Sequence, residues 1–265
     1  MMLGFYGTGN MATAILRGVL SSGLLCADEL MIYDIDFTKI EALSKETGVK
    51  TAVSPDALIS ACDTVLLAVK PQVLPGVLNE NAPVFSQQNP LIISIAAGKT
   101  LSFLQEQLSF PARLVRVMPN LNATVGAAVS AFCGNERATE EDLAFTKKLC
   151  ESFGTALSLP ETQFPIFGVL GGCSPAFVFL FIDALAAAGV KNGLPKATAL
   201  SISAQSVLGS AKLLFESKEH PRELIDRVCS PGGTTIEGVL SLTGDGFEAA
   251  VQKAVQAALE KDRRL

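Results

Sequence analysis

The sequence is poor in the side chains that bind metal ions. It contains one histidine, His220, and six cysteines that form no C-x-x-C pair. Structural zinc sites need cysteine or histidine ligands at short, regular spacings, so we predict no metal site and no disulfide framework. Scattered cysteines of this kind are typical of a reducing compartment. His220 lies in the polar run Lys218–Pro221, which favours an exposed helix start over a catalytic role.

Basic residues are also few, and they are not clustered. Lysine and arginine total 21 against 26 aspartates and glutamates, which gives a net charge of −5. Binding to nucleic acid or to an anionic membrane needs clustered cations that neutralise phosphates. The sequence therefore predicts no nucleic-acid partner and no membrane partner.

The sequence shows no sign of export or of membrane insertion. The chain begins MMLGFYGTGN, and its first cation is Arg17, so it lacks the basic start of a secretory signal. We therefore expect a cytoplasmic protein. The longest charge-free run, Thr162–Ile182, is interrupted by Pro165, Pro175 and several glycines. We predict a helix–turn–helix buried in protein at this place instead of a membrane span.

Apolar residues, in contrast, are plentiful and regularly ordered. They make up 49% of the chain against 18% charged residues, which excludes a disordered protein. Over residues 1–156 short apolar runs alternate with helical stretches, and this order predicts an α/β fold, a Rossmann-type doubly wound domain. The predicted strands are Leu3–Tyr6, Leu30–Tyr33, Thr64–Val69, Leu91–Ile95, Leu114–Met118 and Val125–Phe132. The predicted helices include Asn10–Ser21, Phe37–Thr47, Leu101–Leu108 and Thr139–Phe153.

Residues 157–265 have a different pattern, in which helices are separated by proline and glycine. The β signal fades after about Thr155. The predicted helix Pro175–Gly189 is apolar on every side, and a helix of this kind is buried all round. So short a region cannot surround it, and we therefore expect a second copy of the chain to cover it. Helices at Leu194–Phe215 and Gly246–Lys261 complete a predicted all-helical dimerisation and substrate-binding domain.

A glycine-rich turn follows the first predicted strand. Its motif is Gly7-x-Gly9-x-x-Ala12. Gly7 permits a tight turn, Gly9 lets the backbone approach a pyrophosphate, and the free amides of the next helix face the phosphates. The alternative is a glycine-rich turn in some other α/β protein. The predicted dinucleotide-binding residues here are Gly7, Thr8, Gly9, Asn10 and Met11.

An acidic residue, Asp34, follows the second predicted strand. A carboxylate at this place accepts a hydrogen bond from the 2′-hydroxyl of the adenosine ribose. It would repel a 2′-phosphate, and no lysine or arginine lies between Asp34 and Phe37. We therefore predict that Asp34 binds cofactor and that NADH is preferred to NADPH. The alternative is a solvated aspartate at the end of a strand.

Five segments together carry a family resemblance. They are GTGNMATAI at the start, AVKPQ at Ala68–Gln72, RVMPN at Arg116–Asn120, DALAAAGVKNGLPKATAL at Asp183–Leu200 and VCSPGGTTIEG at Val228–Gly238. In order and spacing they resemble the pyrroline-5-carboxylate reductase family over essentially the whole chain. The resemblance implies a Rossmann domain, a homodimer with intertwined helical domains and often a ring of dimers. The residues that it adds to the cofactor site are Ala68, Val69, Lys70, Pro71, Ala96 and Ala97.

Two segments depart from the family pattern. The family usually has Ser-Gly-Ser-Gly-Pro-Ala-Tyr before its long helix, whereas this chain has GGCSPAF at Gly171–Phe177. After Asn120 the chain has Leu-Asn-Ala-Thr in place of the more usual threonine-proline. The first departure removes hydroxyls, so reduction of a related cyclic or secondary imine stays open as an alternative.

The run Ser230-Pro231-Gly232-Gly233-Thr234-Thr235 indicates an anion site without reference to any family. Serine is a good N-cap and proline a good first helical residue. Two glycines would then leave the first turn without side chains, so that its amides can bind a carboxylate. The alternative is an ordinary capped helix, although glycine weakens a first turn.

The resemblance assigns roles to these residues. It implies that this segment binds the carboxylate of the substrate and that Thr235, as the catalytic residue, hydrogen-bonds the ring nitrogen. The implied reaction is hydride transfer from NADH or NADPH to 1-pyrroline-5-carboxylate, which gives L-proline. The alternative for Glu161 is an ordinary first-turn helix glutamate. The implied substrate-binding residues are Glu161, Ser230, Gly233, Thr234 and Thr235.

Two rival functions are weighed on residues of the second region. Dehydrogenases of 3-hydroxy acids place a catalytic lysine inside a long helix, but Lys191-Asn192-Gly193 has the usual signals of a helix C-terminus. Lys191 is therefore predicted to end a helix. A catalytically silent dinucleotide-binding regulator is the other rival. The intact Ser230–Thr235 segment argues against it, because a sensor of dinucleotide needs no carboxylate site.

Overall fold

The structure, a computed structural model, describes residues 1–262. Its strands are β1 (Leu3–Tyr6), β2 (Leu30–Tyr33), β3 (Lys50–Thr51), β4 (Thr64–Leu67), β5 (Leu91–Ser94), β6 (Arg113–Met118), β7 (Ala128–Gly134) and β8 (Gly154–Ser158). They form one sheet in the order β3-β2-β1-β4-β5-β6-β7-β8. The β6–β7 pair is antiparallel and the other pairs are parallel. The order runs outward from β1 in both directions, which confirms the predicted Rossmann-type fold class.

The central strands are buried on both faces of the sheet. Leu66 of β4 packs into the same apolar cluster as Phe5, whereas its neighbours Val65 and Leu67 pack into the cluster on the opposite face. Successive residues of a strand point to opposite faces, so a strand covered on both sides is apolar throughout. This is why these strands are continuous apolar runs in the sequence.

Helices pack on both sides of the sheet, and all but the last of them supply side chains to these clusters. They are α1 (Asn10–Ser22), α2 (Phe37–Thr47), α3 (Pro55–Ala61), α4 (Leu74–Gln88), α5 (Leu101–Glu106), α6 (Glu140–Glu151) and α7 (Phe164–Phe167). The sequence pattern predicts α1 to within one residue and α2 without error, but it predicts neither α3 nor α4. The helices α1 and α2 end at Gly23 and Gly48, which have φ angles of 70° and 76°. Glycine adopts this left-handed conformation without the strain of a Cβ.

The predicted strand Val125–Phe132 is wrong at its start. Residues Leu121–Val125 form 3₁₀ turns that end at Gly126 with a φ of 69°, and β7 begins only at Ala128. The buried Asn120 fixes this path, since its side-chain oxygen accepts a hydrogen bond from Val129 N at 3.3 Å. A polar side chain outside the apolar run therefore sets where the strand begins.

The contacts within the chain divide it between Gly172 and Cys173 into two compact units. This division falls later than the predicted boundary between residues 156 and 157. Two features tie the intervening residues to the sheet. The first is β8, which the pattern does not predict and which pairs with β7. The second is a cluster in which Phe164 and Phe167 pack around Ala131. Hereafter, residues 1–172 are the first unit and residues from Cys173 onward are the second unit.

The charge-free run of the sequence lies within a helical segment, Glu161–Lys191, that is long and apolar enough to cross a membrane by length and composition alone. A π-helical stretch, Gly168–Cys173, takes the place of the predicted turn, so the predicted helix–turn–helix is wrong. A Cβ at Gly171 would lie 3.1 Å from Cζ of Phe167. Glycine therefore fits a helical path here and does not break it.

The second unit consists of helices. They are α8 (Ser174–Lys191), α9 (Lys196–Ser217), α10 (Pro221–Val228), α11 (Thr234–Gly244) and α12 (Phe247–Asp262). The helices α8 and α9 pack closely at Gly189, where a Cβ would lie 3.0 Å from Cβ of Ala199. Elsewhere α8 leaves large apolar side chains exposed in the single chain. These are Val178, Phe179, Leu180, Leu185 and Val190.

Candidate functional site

The glycine loop after β1 has the geometry of a phosphate-binding turn. Gly7 has a φ of 102°, and a Cβ there would lie 2.8 Å from the carbonyl oxygen of Ala68. Around Gly9, in contrast, a Cβ would meet no heavy atom within 4 Å, so open space lies against the backbone. The helix α1 begins at Asn10 without a side-chain cap. Its first amides are therefore available to a pyrophosphate, and these residues fit a bound dinucleotide.

The predicted ribose ligand, Asp34, is fixed against this loop. Its Oδ2 accepts hydrogen bonds from Thr8 N at 2.7 Å and from Thr8 Oγ1 at 3.0 Å. Its Oδ1 accepts one from Asp36 N at 3.1 Å. A carboxylate offers about four acceptor positions, so Asp34 can still accept a bond from a ligand. Nearby Lys39 is ion-paired with Asp36 at 3.1 Å.

A cleft of about 380 Å³ lies at the carboxyl ends of β1, β4, β5 and β6. In a doubly wound sheet a dinucleotide binds in such a crevice, beside the strand from which the order reverses. The structure brings nine predicted cofactor residues together in the wall of this cleft. They are Gly9, Asn10, Met11, Ala68, Val69, Lys70, Pro71, Ala96 and Ala97.

Arg116 also lines this cleft, and the sequence analysis gives it no role beyond its place in a motif. It lies on β6 and is only 8% exposed. Its Nη1 donates to Oε1 of Glu161 at 2.9 Å, and its guanidinium carbon lies 4.6 Å from the ring centroid of Phe164. The sequence signal for a paired Arg116 is a charged residue inside the apolar strand run LVRVM, because arginine is almost never buried unless it is paired.

Glu161 lies in the first unit, at the start of a 3₁₀ turn. Its Oε1 accepts from Arg116 and also from the backbone N of Leu101, at 2.8 Å. The thiol of Cys133 lies in the same neighbourhood, and burial followed by the charge of Glu161 raises its pKa to about 11. Glu161 is therefore tied to β6 through Arg116 and to the start of α5 through Leu101, contacts beyond those that an ordinary first-turn glutamate makes.

The segment Ser230–Thr235 differs from the predicted capped helix. Helix α11 begins at Thr234 with Gly233 as its N-cap, so the prediction that Ser230 is the N-cap and Pro231 the first helical residue is wrong. Gly232 has a φ of 66°, a conformation that the start of a helix cannot contain. The four residues from Ser230 instead form a turn closed by a 3.0 Å bond from Gly233 N to the carbonyl oxygen of Ser230.

The glycines of this turn still leave the start of α11 without neighbouring side chains at positions 232 and 233. A Cβ at Gly233 would lie 2.3 Å from Oγ of Ser230, so a larger residue there would displace the serine hydroxyl. No side chain caps the start of α11, and its first amides can therefore bind an anion. Thr235 lies on the wall of an apolar cavity of about 340 Å³, together with Cys229, Val239 and residues of α9 and α10.

Two side chains that were weighed as catalytic groups, His220 and Lys191, lie at helix ends. His220 is the N-cap of α10, where its Nδ1 accepts from Arg222 N at 3.2 Å. Lys191 is the last residue of α8. The structure confirms that His220 stands at a helix start and that Lys191 ends a helix. The six cysteines are free thiols, and within residues 1–262 no group of three or more metal-ligating side chains occurs.

The fold and the cleft together define a dinucleotide-dependent oxidoreductase. The family profile for pyrroline-5-carboxylate reductase dimerisation matches residues 161–265, and that for NADP oxidoreductase, coenzyme F420-dependent, matches residues 2–98. The pyrroline-5-carboxylate reductase of Escherichia coli is 40% identical over 264 residues, which cover 99% of this chain and 97% of that protein. The chain belongs to the pyrroline-5-carboxylate reductase family.

Solved structures of the family have the same fold. The Streptococcus pyogenes reductase superposes with a TM-score of 0.86 at 38% identity, over 100% of this chain and 99% of that one. The Plasmodium falciparum pyrroline carboxylate reductase, solved with NADP bound, also has a TM-score of 0.86, at 32% identity over 100% and 97% of the two chains. The present chain is an oxidoreductase of the same NAD(P)-dependent class.

Proposed function

We propose that this enzyme reduces 1-pyrroline-5-carboxylate to L-proline, with NADH preferred to NADPH. The observation that carries the proposal is the bare start of α11 at Thr234. Its amides offer a site for a carboxylate that needs no arginine or lysine. A dinucleotide regulator without activity has no use for such a site, and the full-length similarity to named reductases supports the same reading.

Two groups of residues are proposed to bind the two halves of the dinucleotide. Gly7, Gly9 and the amides of α1 hold the pyrophosphate, and Asp34 on the β2 side takes the adenosine ribose. The other half then lies over the ends of β4, β5 and β6, in the cleft lined by Lys70 and Ala97. When it is bound there, the reduced nicotinamide supplies the hydride. The protein residues hold and orient it.

The substrate residues orient the imine. In the proposed complex the turn from Ser230 to Gly233 and the amide of Thr234 bind the carboxylate, and the Thr235 hydroxyl hydrogen-bonds the ring nitrogen. By the family resemblance Glu161 is proposed as a further substrate contact, and its carboxylate has acceptor capacity beyond its bonds to Leu101 and Arg116. The hydride adds to the imine carbon, which is C2 of the pyrroline and becomes C5 of proline, and the electron pair of the C=N bond becomes the lone pair of the amine nitrogen.

The proton on the nitrogen is proposed to arrive with the substrate. His220, the one histidine of the chain, caps α10 and has no part in this site. A threonine hydroxyl is a weak acid and serves to orient the ring. An iminium is a better hydride acceptor than a neutral imine, so the protonated form is the proposed substrate.

The preference for NADH rests on Asp34. Its carboxylate is fixed by Thr8 and by the backbone of Asp36, and a 2′-phosphate would meet this negative charge at close range. The cation that follows in sequence, Lys39, is paired with Asp36. A free 2′-hydroxyl instead donates a hydrogen bond to the same carboxylate.

The assembly is proposed to be an intertwined homodimer, which also forms the units of a ring. The exposed apolar side chains of α8, such as Phe179 and Leu180, support it, as does the match of residues 161–265 to a dimerisation region. The proposed location is the cytoplasm. Six free thiols, of which Cys62 and Cys150 are buried, are typical of a reducing compartment.

One assay tests the substrate. Oxidation of NADH is followed with 1-pyrroline-5-carboxylate, with piperideine-2-carboxylate and without an imine. We expect turnover with the first that exceeds turnover with the second by at least about tenfold. The second imine has one more ring methylene, which is worth about 1–3 kcal/mol in a shaped site, and its C=N carbon is the one that bears the carboxylate. Preference for the six-membered ring would favour the alternative suggested by the Gly171–Phe177 departure. No turnover with either imine would favour the regulator.

A further inference from the structure

Arg116, which lines the cofactor cleft, forms a charge pair with Glu161. The Nη1–Oε1 distance is 2.9 Å, and the two side chains are 10% and 28% exposed. Three contacts hold the pair in place. Arg116 is part of the central sheet, its guanidinium lies over the ring of Phe164 at 4.6 Å, and Glu161 is fixed by Leu101 N. The pair is therefore oriented before any ligand binds.

The pair lies toward the nicotinamide half of the dinucleotide. Asp34 and β2 define the adenosine side of the crevice, and the start of α1 takes the pyrophosphate between the two halves. Arg116 lines the cleft with residues from the ends of β4, β5 and β6, on the other side of β1. With Lys70 it supplies the positive charges of that wall.

The charge of a nicotinamide ring changes during its reaction. The ring is neutral when it is reduced and carries one positive charge after it has lost a hydride. A lone guanidinium in the wall would oppose the oxidised ring, because charges of the same sign repel each other. A carboxylate bonded to that guanidinium cancels most of this repulsion.

We infer that Glu161 is a positioning residue that neutralises Arg116 and so sets the balance between oxidised and reduced cofactor in the cleft. The pair lets a buried arginine support the wall without opposing hydride donation. The inference rests on the proposed placement of the nicotinamide half, and it is independent of which imine is the substrate.

The experiment measures the dissociation constants of NADH and NAD⁺ without substrate, in the full-length protein. In Glu161→Gln the guanidinium is left uncompensated, and we expect the ratio Kd(NAD⁺)/Kd(NADH) to rise about three- to tenfold. In Arg116→Gln the carboxylate is left alone, and the ratio should fall by a similar factor. The double variant should return to within about twofold of the wild-type ratio.

Opposite signs in the two single variants separate this role from a purely structural one. Loss of a structural contact would weaken NADH and NAD⁺ together, and in the same direction in both variants. Arg116→Lys and Glu161→Asp keep the charges and should keep the ratio, even where both affinities fall. If Glu161→Gln does not fold, the contrast of Arg116→Gln with Arg116→Lys decides the matter.

The chain offers a matched control on the same strand. Arg113 of β6 is paired with the buried Asp142 at 2.8 Å, and neither residue lines the cleft. Asp142→Asn should lower thermal stability and leave the Kd ratio unchanged. The inference is overturned if both single variants move the ratio in the same direction, if neither moves it by twofold, or if Asp142→Asn moves it as much. An unchanged ratio in the variants, beside turnover of 1-pyrroline-5-carboxylate by the wild-type enzyme, would overturn the inference and leave the proposed function standing.

Discussion

The two units of this chain bury their apolar residues to very different extents. The largest fully buried side chains, which include Phe5, Phe85 and Phe153, all belong to the first unit. In the second unit the buried apolar side chains of the described residues are small, such as Ala186 and Ala199, while Phe179 is 57% exposed. The first unit thus has a complete core of its own. The second has the exposed apolar surface of an interaction domain, because exposed apolar area on this scale marks an interface.

This difference teaches where each kind of mutation should act. A change in the first unit alters one chain, whereas a change on α8 alters the assembly. The stability of an obligate dimer depends on protein concentration, since association stabilises the folded state by mass action. The first unit should show no such dependence of its own.

The largest expected effect is that of a charge on α8. Phe179→Asp would place a carboxylate in the proposed interface, which costs several kcal/mol unless the charge is paired. We expect the dimer to dissociate at micromolar concentration and activity to fall about hundredfold or more, measured by light scattering and by NADH oxidation.

The control for this change lies on the first unit. Val53 is 82% exposed there, and Val53→Asp should leave both the mass and the activity at wild-type levels. A wild-type protein that is a stable monomer at micromolar concentration would refute the comparison between the two units.

The next effect concerns the hydroxyl at the start of α11. Thr235→Ala removes one hydrogen bond to the protonated ring nitrogen, which is worth about 1.5–3 kcal/mol. We expect kcat/KM for the imine to fall about ten- to hundredfold, with NADH affinity and thermal stability unchanged. Steady-state kinetics together with a fluorescence titration of NADH measure the two quantities.

Thr234→Ala is the neighbouring control. It lies one residue earlier in the same first turn and should cost less, since the proposed contact is its backbone amide. Near-wild-type kcat/KM in Thr235→Ala would place the substrate elsewhere and reopen the identity of the imine.

The smallest expected effect concerns the choice of cofactor. Wild-type kcat/KM should favour NADH over NADPH, and Asp34→Asn should reduce that preference about threefold to tenfold, since it removes the repulsion but adds no cation. The side-chain oxygen of the asparagine can still accept the hydrogen bonds from Thr8 N and Thr8 Oγ1, so the loop should keep its conformation. A wild-type preference for NADPH would mean that another part of the chain supplies a cation for the phosphate.

The sequence predicts the first unit well where its elements are self-contained. The strands β1 and β2 and the helix α2 are found with their predicted ends, because their apolar runs are bounded by glycine or polar caps. The glycine loop can be predicted from the sequence for the same reason, since its residues are adjacent in the chain and each has a local role.

The errors occur where distant residues decide the structure. Asn120 sets the start of β7, and β8 exists only because β7 lies beside it. The pairing of Arg116 with Glu161 joins residues 45 positions apart, so no local pattern reveals it. At Ser230 two good local signals, an N-cap residue and a proline, are overruled by the positive φ of Gly232.

The carboxylate of Asp34 has a further consequence for the thermodynamics of binding. Three donors from Thr8 and Asp36 hold it in one orientation in the free protein. Immobilising a mobile side chain at an interface costs about 0.5–1.5 kcal/mol of conformational entropy, and a side chain that is already ordered largely avoids this loss. The ribose therefore meets a preorganised acceptor, and cofactor binding at this end of the crevice should require little rearrangement of the protein.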